Sequence, residues 1–393
     1  MPEVHARLSA SGAKKWLNCP GSIQLESQFE NIPSEFAQEG TTAHALAEAK
    51  LRFALKQIKR TEYAALVKKL DVNAEMEEYT DGYRDFVIER YNHALKTTPD
   101  AKLLIEQKLD LSKWVPQGFG TGDAVIVGDG ILEIVDLKYG AGVAVSADWN
   151  PQLRLYALGA LDALDFLYGI KIIRTVIYQP RKDNISCESI TPEDLCAWGE
   201  IVAEKAKIAA DDAITECTAG DHCDEGFCRA RAVCRAYAEK RSSLAKLDFK
   251  PPAKLTLEEI AEVLEQSAKL KKWVELVSDY ALDQAVNHEA DIPGYKLVEG
   301  KSSRKYSKSD DVISKILVEN GYSENDIFNR SIKGITEMEK LLGKTRFASL
   351  LKDCVIKPQG KLTLVPIEDQ RPAVNSASQA ADDFAEIIEK ENK

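Results

Sequence analysis

The chain has 393 residues, of which 44% are hydrophobic and 29% charged, a composition typical of folded globular proteins with two or three domains. No run approaches the roughly 18 apolar residues of a membrane span, and the N-terminus lacks a secretion signal pattern, so we expect a cytoplasmic protein without membrane contact. The net charge of -11 and pI ≈ 5.2 argue against a tight passive nucleic-acid binder, but not against an enzyme whose carboxylates hold divalent cations against phosphate.

The first part of the chain is predicted to be helical. Helices are expected over residues 13–17, from about 41 to 59, and over 74–96. Ser9 and Ser11 are N-cap candidates for the first helix, and Thr41 or Thr42 for the second.

The hydrophobic period then changes to that of strands. Strands are predicted over residues 102–109, 122–127 and 131–138, a helix over 149–164, and a fourth strand over 172–178. Gly128-Asp129-Gly130 is a strong signal for a tight hairpin between the second and third strands. We therefore expect an α/β fold with a mixed sheet flanked by helices, in the order helix, three strands, helix, strand.

The remaining chain is predicted to be mostly helical. A helix is expected over residues 191–217, with Thr191 as its N-cap and Pro192 at its first position. An irregular stretch over 220–234 follows, and then a helix to about residue 247. A further helix is expected over 257–287. Because Lys250-Pro-Pro-Ala has the composition of a linker, we place a domain boundary there. The predicted parts are a domain over 1–247, a mostly helical accessory domain over 248–370, and a polar flexible tail over 371–393.

Two aspartates are expected to meet at one end of the hairpin. Asp123 begins one strand and Asp136 lies near the end of its partner, so normal pairing makes them neighbours. Paired carboxylates repel unless a cation lies between them, and oxygen ligands suit Mg²⁺ or Mn²⁺. Lys138, on the same face as Asp136, would orient or deprotonate an attacking water. The alternative is a solvated hairpin with scattered charges, but the apolar neighbours Val135 and Leu137 favour a buried, partnered carboxylate.

Three further side chains are candidates for the same site. Gln152 and Tyr156 lie one turn apart on the next helix, where both can contact phosphate and the tyrosine ring can stack on a base; ordinary packing is the alternative. His44 lies in an alanine-rich helix and is either a packed or surface histidine or a metal ligand.

Together these residues resemble the RecB-like branch of the PD-(D/E)xK nuclease superfamily. The matching motifs are the helix histidine at His44, Gly120-Thr-Gly-Asp123, Asp136-Leu-Lys138, and Gln152 to Tyr156. The resemblance covers about residues 9–240 and implies the α-β-β-β-α-β nuclease core of that superfamily. It also implies His44, Asp123 and Asp136 as ligands of the catalytic metal, with Lys138 assisting the water that hydrolyses the phosphodiester. Asp136 stands where glutamate is commoner, and Glu106 on the first strand is a candidate ligand for a second metal.

Five of the eight cysteines lie at the two ends of this region. Cys19, Cys223, Cys228 and Cys234 resemble the pattern of AddB-type and CRISPR-adaptation nucleases, in which four thiolates hold a 4Fe-4S cluster. Such a cluster would staple the first helix to the last. A structural Zn²⁺ site with the same thiolates is the alternative, and Cys217 is an alternative ligand to Cys223. The isolated cysteines are predicted to be buried small hydrophobes: Cys187, Cys196 and Cys354.

Two clusters of basic residues are candidate phosphate contacts. Arg229, Arg231 and Arg235 form either a local phosphate-binding patch or a solvated helix face. The basic stretch 301–308 either contacts single-stranded DNA or is a solvated loop.

The whole chain resembles a family encoded by phages and prophages, which joins this nuclease core to a mostly helical C-terminal part. That resemblance implies a role in phage DNA replication or recombination, with DNA and a single-strand-binding or annealing protein as partners. We consider a metal-dependent DNA exonuclease, a catalytically silent DNA-binding scaffold of a recombination complex, and a zinc-stabilised interaction protein. The complete set of His44, Asp123, Asp136 and Lys138 favours the enzyme.

Overall fold

The computed structural model describes residues 6–241, 257–298, 307, 309–320, 323, 327–328, 332–351 and 354–355. The chain divides into two units, Met1–Val298 and Glu299–Lys393. The predicted boundary after residue 247, the tail over 371–393, and the basic stretch 301–308 apart from Ser307 lie outside the described residues.

The described part of the first unit contains one five-stranded sheet and ten α-helices. The helices are α1 (Ala13–Trp16), α2 (Ser22–Glu26), α3 (Glu35–Ala54), α4 (Arg60–Val67), α5 (Ala74–Thr97), α6 (Pro151–Tyr168), α7 (Pro192–Ala210), α8 (His222–Glu225), α9 (Arg235–Arg241) and α10 (Leu257–Asn287). The strands are β1 (Lys102–Asp110), β2 (Phe119–Gly128), β3 (Ile131–Leu137), β4 (Ile172–Gln179) and β5 (Asn184–Ile190). Short 3₁₀ helices span Pro180–Lys182 and Arg229–Ala232. The second unit contains α11 (Asp310–Glu319), α12 (Ile335–Leu342) and α13 (Lys344–Leu351) among its described residues.

The sheet is mixed, with its strands in the order β1-β2-β3-β4-β5. The pairs β1–β2, β2–β3 and β4–β5 are antiparallel, and β3–β4 is parallel because α6 crosses between them. The β2–β3 hairpin turns at Gly130, whose φ of 75° favours glycine. The predicted order of helix, three strands, helix and strand is confirmed by α5, β1, β2, β3, α6 and β4. The edge strand β5 was not predicted.

Helices cover both faces of the sheet. Leu132 and Ile134 of β3 pack in a core with α6 and α7, whereas Val135 and Leu137 pack in a core with α3 and α5. Successive side chains of a strand point to opposite faces, so the next residue in the first series, Asp136, belongs to the face that α6 covers. None of the described helices combines the length and the apolar character that a membrane span requires.

The predicted limits of the second helix were wrong. Helix α3 begins at Glu35 because the hydroxyl of Ser34 accepts a hydrogen bond from the backbone N–H of Ala37 (3.2 Å) and caps it. Thr41 and Thr42 lie inside this helix, where their hydroxyls donate to carbonyl groups one turn earlier. The helix ends at Ala54, and the separate helix α4 follows.

Two other predictions of helix N-caps had opposite outcomes. The N-cap of α7 is Thr191, as predicted, and its hydroxyl accepts from the N–H of Asp194 (3.1 Å), although this helix ends at Ala210 rather than near residue 217. The N-cap of α1 is Gly12 and not Ser9 or Ser11, since the hydroxyl of Ser9 accepts from the N–H of Gly12 in the preceding turn (3.1 Å).

The prediction that three cysteines are buried was wrong. Cys187, Cys196 and Cys354 are all exposed. Cys187 occupies an outward-facing position of the edge strand β5, and Cys196 lies on the solvent side of α7. Isolation in the sequence therefore did not indicate burial.

Candidate active site and cysteine cluster

Asp123 and Asp136 lie opposite each other where β2 and β3 separate. Ala124 pairs with Val135, so the two aspartates occupy the next position of the same register. A carboxylate oxygen of Asp123 accepts a hydrogen bond from the N–H of Leu137 (2.7 Å), which holds it beside β3. Asp136 is only 2% exposed. The hairpin therefore brings two poorly solvated carboxylates together.

His44 approaches this pair from α3 on the other face of the sheet. Its Nδ1 lies 3.3 Å from Oδ1 of Asp123. Burial opposes protonation of the imidazole, but the Asp123 carboxylate outweighs burial and raises the pKa of His44 to about 9. Burial likewise disfavours the charged form of Asp123, but the facing His44 and the Leu137 N–H hold the pKa of Asp123 below its ordinary value. Without a metal ion, the two form an ion pair at neutral pH.

Glu106 of β1 is the third carboxylate of the site. It stands opposite Asp123 between the pairs Ile105–Ala124 and Gln107–Gly122, and its φ of 49° takes it out of the regular ladder. Burial and the neighbouring Asp123 raise the pKa of Glu106 to about 7. One ligand atom each of His44, Glu106 and Asp123 lie within 4.8 Å of one another. The compact group of possible ligands thus contains Glu106, to which the sequence assigned only a secondary place.

Asp136 instead contacts the lysine and the glutamine of the predicted motifs. Nζ of Lys138 lies 2.9 Å from Oδ2 of Asp136, an oxygen that is buried and has no hydrogen bond of good geometry. Gln152 links the group: its Oε1 accepts from Lys138 Nζ (3.0 Å), and its Nε2 donates to Oδ1 of Asp136 (3.4 Å) and to the hydroxyl of Tyr156 (3.1 Å). Four predicted side chains therefore form one connected polar network.

The charge states of Asp136 and Lys138 in this network depend on each other. Burial raises the pKa of Asp136, and repulsion from Asp123 adds to burial while Lys138 opposes it. Burial disfavours the ammonium of Lys138, but Asp136 outweighs burial and raises the pKa of Lys138 above its ordinary value. Lys138 is therefore cationic at neutral pH.

Gly120 and Tyr156, from two different motifs, are in direct contact. A Cβ atom at Gly120 would lie 2.5 Å from Cε1 of Tyr156, which explains the need for glycine there. The Tyr156 ring belongs to the core under α6 and is 6% exposed. The ring is thus packed into the core, and the prediction that it stacks on a base stays a prediction. Its hydroxyl positions Gln152.

An arginine that the sequence did not single out fixes α3 near the site. Arg181, in the 3₁₀ helix after β4, donates two hydrogen bonds to the carboxylate of Glu39 (2.9 and 2.6 Å) and stacks over the ring of Tyr139 (4.1 Å to its centroid). Glu39 precedes His44 on α3, and Tyr139 follows Lys138. These contacts of Arg181 thus join α3 to the end of β3. They depend on tertiary structure and are not visible in the sequence.

The donor set of this site fits a hard divalent cation. His44, Glu106 and Asp123 lie within reach of one another, with Asp136 opposite Asp123, and oxygen with imidazole nitrogen suits Mg²⁺ or Mn²⁺. The raised pKa of Glu106 is a sign of negative charge that the protein alone does not fully compensate. The residues available to hold a cation are His44, Glu106 and Asp123, and the prediction that Asp136 is a ligand stays a prediction.

The cysteines form a second cluster, far from these residues in sequence. A small cavity is lined by Cys19, Cys217, Cys223, Cys228 and Cys234. Four of them are buried, and Cys217 is half-buried. The backbone N–H of Thr218 donates to the sulfur of Cys19 (3.3 Å), and burial raises the pKa of Cys228 to about 12. Cysteines that line one cavity are a donor set suited to a thiophilic metal, and metal binding would remove their thiol protons.

Charged side chains support the walls of this cavity. Asp224 accepts hydrogen bonds from the hydroxyl of Tyr237 (2.6 Å) and from Arg241 (2.6 Å). Arg229 and Arg231 donate to the carbonyl oxygens of Phe29 (3.0 Å) and Cys228 (2.9 Å). Both guanidinium groups thus have partners within the protein, and the proposed phosphate patch that includes Arg235 stays a prediction.

The chain belongs to the family described as "Protein of unknown function (DUF2800)", whose family model matches residues 5–372. Among solved structures, one named "Crystal structure of SSO0001" is 14% identical, over a match that covers 56% of this chain and 95% of that chain. The TM-score of this match is 0.22, which is too low to bear on fold or function.

Proposed function

We propose that this protein is a Mg²⁺- or Mn²⁺-dependent deoxyribonuclease of the RecB-like PD-(D/E)xK kind, acting as an exonuclease. The observation that carries the proposal is the position of Asp123 opposite Asp136, just beyond the last paired residues of β2 and β3, with His44 beside Asp123 and Lys138 beside Asp136. That residues of α3, β2 and β3 lie together there supports the proposal. Chance placement of four motif residues in one polar cluster is a weaker explanation.

His44, Asp123 and Asp136 would hold the catalytic cation, and Glu106 is the candidate for a further ligand. A cation bound there supplies Lewis-acid activation of the phosphodiester and of an attacking water. His44 has to lose its proton to bind, because only neutral imidazole offers a lone pair. Its release from the ion pair with Asp123 frees both side chains together.

The raised pKa of Lys138 in the metal-free protein favours one of its two expected roles. An amine that stays protonated does not take a proton from water, so the Lys138 ammonium orients the water and balances charge that develops on the phosphate. The Gln152 carbonyl aims this ammonium, and the Tyr156 hydroxyl holds Gln152 in turn. Gln152 and Tyr156 are therefore positioning residues.

The cysteine cavity is proposed to hold a 4Fe-4S cluster with a structural role. Burial favours Cys19, Cys223, Cys228 and Cys234 as ligands over the half-buried Cys217. Such a cluster would tie the segment after α1 to the segment between α7 and α9 and remove chain entropy from the unfolded state. Zinc is the alternative, and the colour and absorption of the pure protein separate the two, since iron–sulfur protein is brown and zinc protein colourless.

The proposed biological setting is DNA replication or recombination of a phage or prophage, in the cytoplasm. DNA is the substrate, and a single-strand-binding or annealing protein is the proposed partner. The acidic chain favours an enzyme that meets phosphate through cations over a scaffold that holds DNA by charge.

The test is digestion of end-labelled linear single- and double-stranded DNA, with closed circular DNA alongside. Protein purified without oxygen is assayed with Mg²⁺ or Mn²⁺, and Asp136→Ala is the control. Loss of linear DNA alone, absent in the variant, supports an exonuclease and reveals its polarity. Intact DNA with both metals and a full metal cluster would refute the nuclease and favour the DNA-binding scaffold.

A further inference from the structure

The helix α10 lies beyond the predicted nuclease domain, yet it packs against the cysteine cluster. It contacts α9 and the 3₁₀ helix Arg229–Ala232, which follows Cys228 and precedes Cys234. Near its C-terminal end, Tyr280 meets Phe29 edge-on, with ring centroids 6.2 Å apart. The helix is thus anchored to both sequence segments that carry the cysteines.

Trp273 of α10 lies beside the cysteines. It packs against the group of buried residues formed by Cys223, Cys234 and Tyr237. The indole nitrogen Nε1 is itself buried and has no hydrogen-bond acceptor among the described residues. A tryptophan nitrogen is a donor only, and buried donors without partners are rare because they have lost water without replacement.

The residues packed around Trp273 offer its indole N–H no strong hydrogen-bond acceptor. Tyr237, the polar side chain in the same packing cluster, directs its hydroxyl to Asp224 (2.6 Å). The other members of this packing cluster are cysteines and apolar residues, and a neutral thiol is a weak acceptor. Metal-bound thiolate and inorganic sulfide carry negative charge, and hydrogen bonds to charged acceptors are the stronger ones.

We propose that the indole N–H of Trp273 donates a hydrogen bond to a sulfur of the metal cluster held by the cysteines, so that α10 shields and tunes this centre. The inference rests on the cluster put forward under the proposed function. Hydrogen bonds to cluster sulfurs stabilise the more negative, reduced state and so raise the reduction potential. Residues outside the nuclease core would then set the properties of the metal centre.

The variant Trp273→Phe tests the hydrogen bond, because it keeps an aromatic ring in the packing and removes only the donor. Trp198→Phe is the matched control, since Trp198 is a partly buried tryptophan on α7 and does not line the cysteine cavity. Tyr280→Ala is a second variant that loosens α10 at its contact with Phe29 and leaves the donor in place. The full-length proteins are purified without oxygen.

The readouts are iron and sulfide per chain, the midpoint potential, and the rate of iron release to a ferrous chelator. We expect Trp273→Phe to contain iron, to have a lower midpoint potential, and to release iron several-fold faster than wild type. Trp198→Phe should match wild type, and Tyr280→Ala should release iron faster. Wild-type protein without iron would overturn the cluster and this inference together. Iron-containing Trp273→Phe with the wild-type potential and release rate would overturn this inference alone.

Discussion

Lys138→Met tests the electrostatic balance of the candidate site through stability alone. The lysine ammonium lies 2.9 Å from Asp136, whose side chain is 3% exposed. Removing one member of a buried ion pair costs about 3–5 kcal/mol, because the other charge stays buried without compensation. Asp136 can limit this cost by taking up a proton. From an ordinary aspartate pKa of about 3.9, that uptake costs about 4 kcal/mol at pH 7 and about 1.5 kcal/mol at pH 5.

The sign of the pH dependence follows from the same balance. Burial and Asp123 raise the pKa of Asp136 in the folded protein, and the variant lacks the lysine that opposes them. A folded-state pKa above the unfolded value means that stability is retained at low pH and lost as pH rises. The metal-free variant should therefore be less stable than wild type by about 2–4 kcal/mol at pH 7 and by less than about 2 kcal/mol at pH 5.

The assay is equilibrium urea unfolding without divalent cations, followed by tryptophan fluorescence at both pH values. Adding Asp136→Asn to the variant should restore most of the lost stability, because no buried charge is left unpaired. Lys113→Met is the surface control: its pair with Asp162 is exposed on both sides and should contribute less than about 1 kcal/mol. A penalty for Lys138→Met that is absent, or equal at pH 5 and pH 7, would refute the reasoning.

Three further predictions concern geometry, protons and the cluster. Gly120→Ala should reduce nuclease activity at least about tenfold without unfolding the protein. The new Cβ displaces the Tyr156 ring, and its hydroxyl then no longer positions Gln152. Unchanged initial rates of DNA hydrolysis would contradict this. Because the pKa of His44 is about 9 and binding requires its neutral form, Mn²⁺ affinity should rise up to about tenfold per pH unit between about pH 7 and pH 9. Mn²⁺ titrations that show no such rise would be inconsistent with His44 as a ligand. Cys223→Ser should lose iron and thermal stability while Cys217→Ser keeps both, as iron analysis and melting curves would show. The reverse result would make Cys217 the ligand in place of Cys223.

The fold was predictable where local signals and tertiary packing agreed. The Gly128-Asp129-Gly130 turn, the alternating strands and the Thr191 cap each specify structure over a few residues, and all were predicted correctly. The start of α3 was missed because its first two turns are exposed and carry no apolar period, so Ser34 was not recognised as its cap. The strand β5 was missed because a short edge strand of mixed polarity resembles a loop.

The site was predictable to the extent that it lies on neighbouring strands. Asp123 and Asp136 could be paired from the hairpin alone, since its register follows from the turn. The approach of Glu106 depends on β1 pairing and on a local φ of 49°, and the Gly120–Tyr156 contact depends on how α6 packs. No local pattern encodes such contacts. The same limit applies to Trp273, which is distant from the cysteines in sequence and meets them only in the folded protein.

The most direct test of the central claim is the initial rate of linear DNA hydrolysis as a function of Mn²⁺, for wild type and Asp136→Asn. Asparagine keeps the size of the side chain and removes the charge that would bind the cation. We expect wild type to cleave only with the cation, and the variant to be slower by about a hundredfold or more at every concentration. Cleavage by Asp136→Asn at the wild-type rate would contradict a nuclease site built on Asp123 and Asp136.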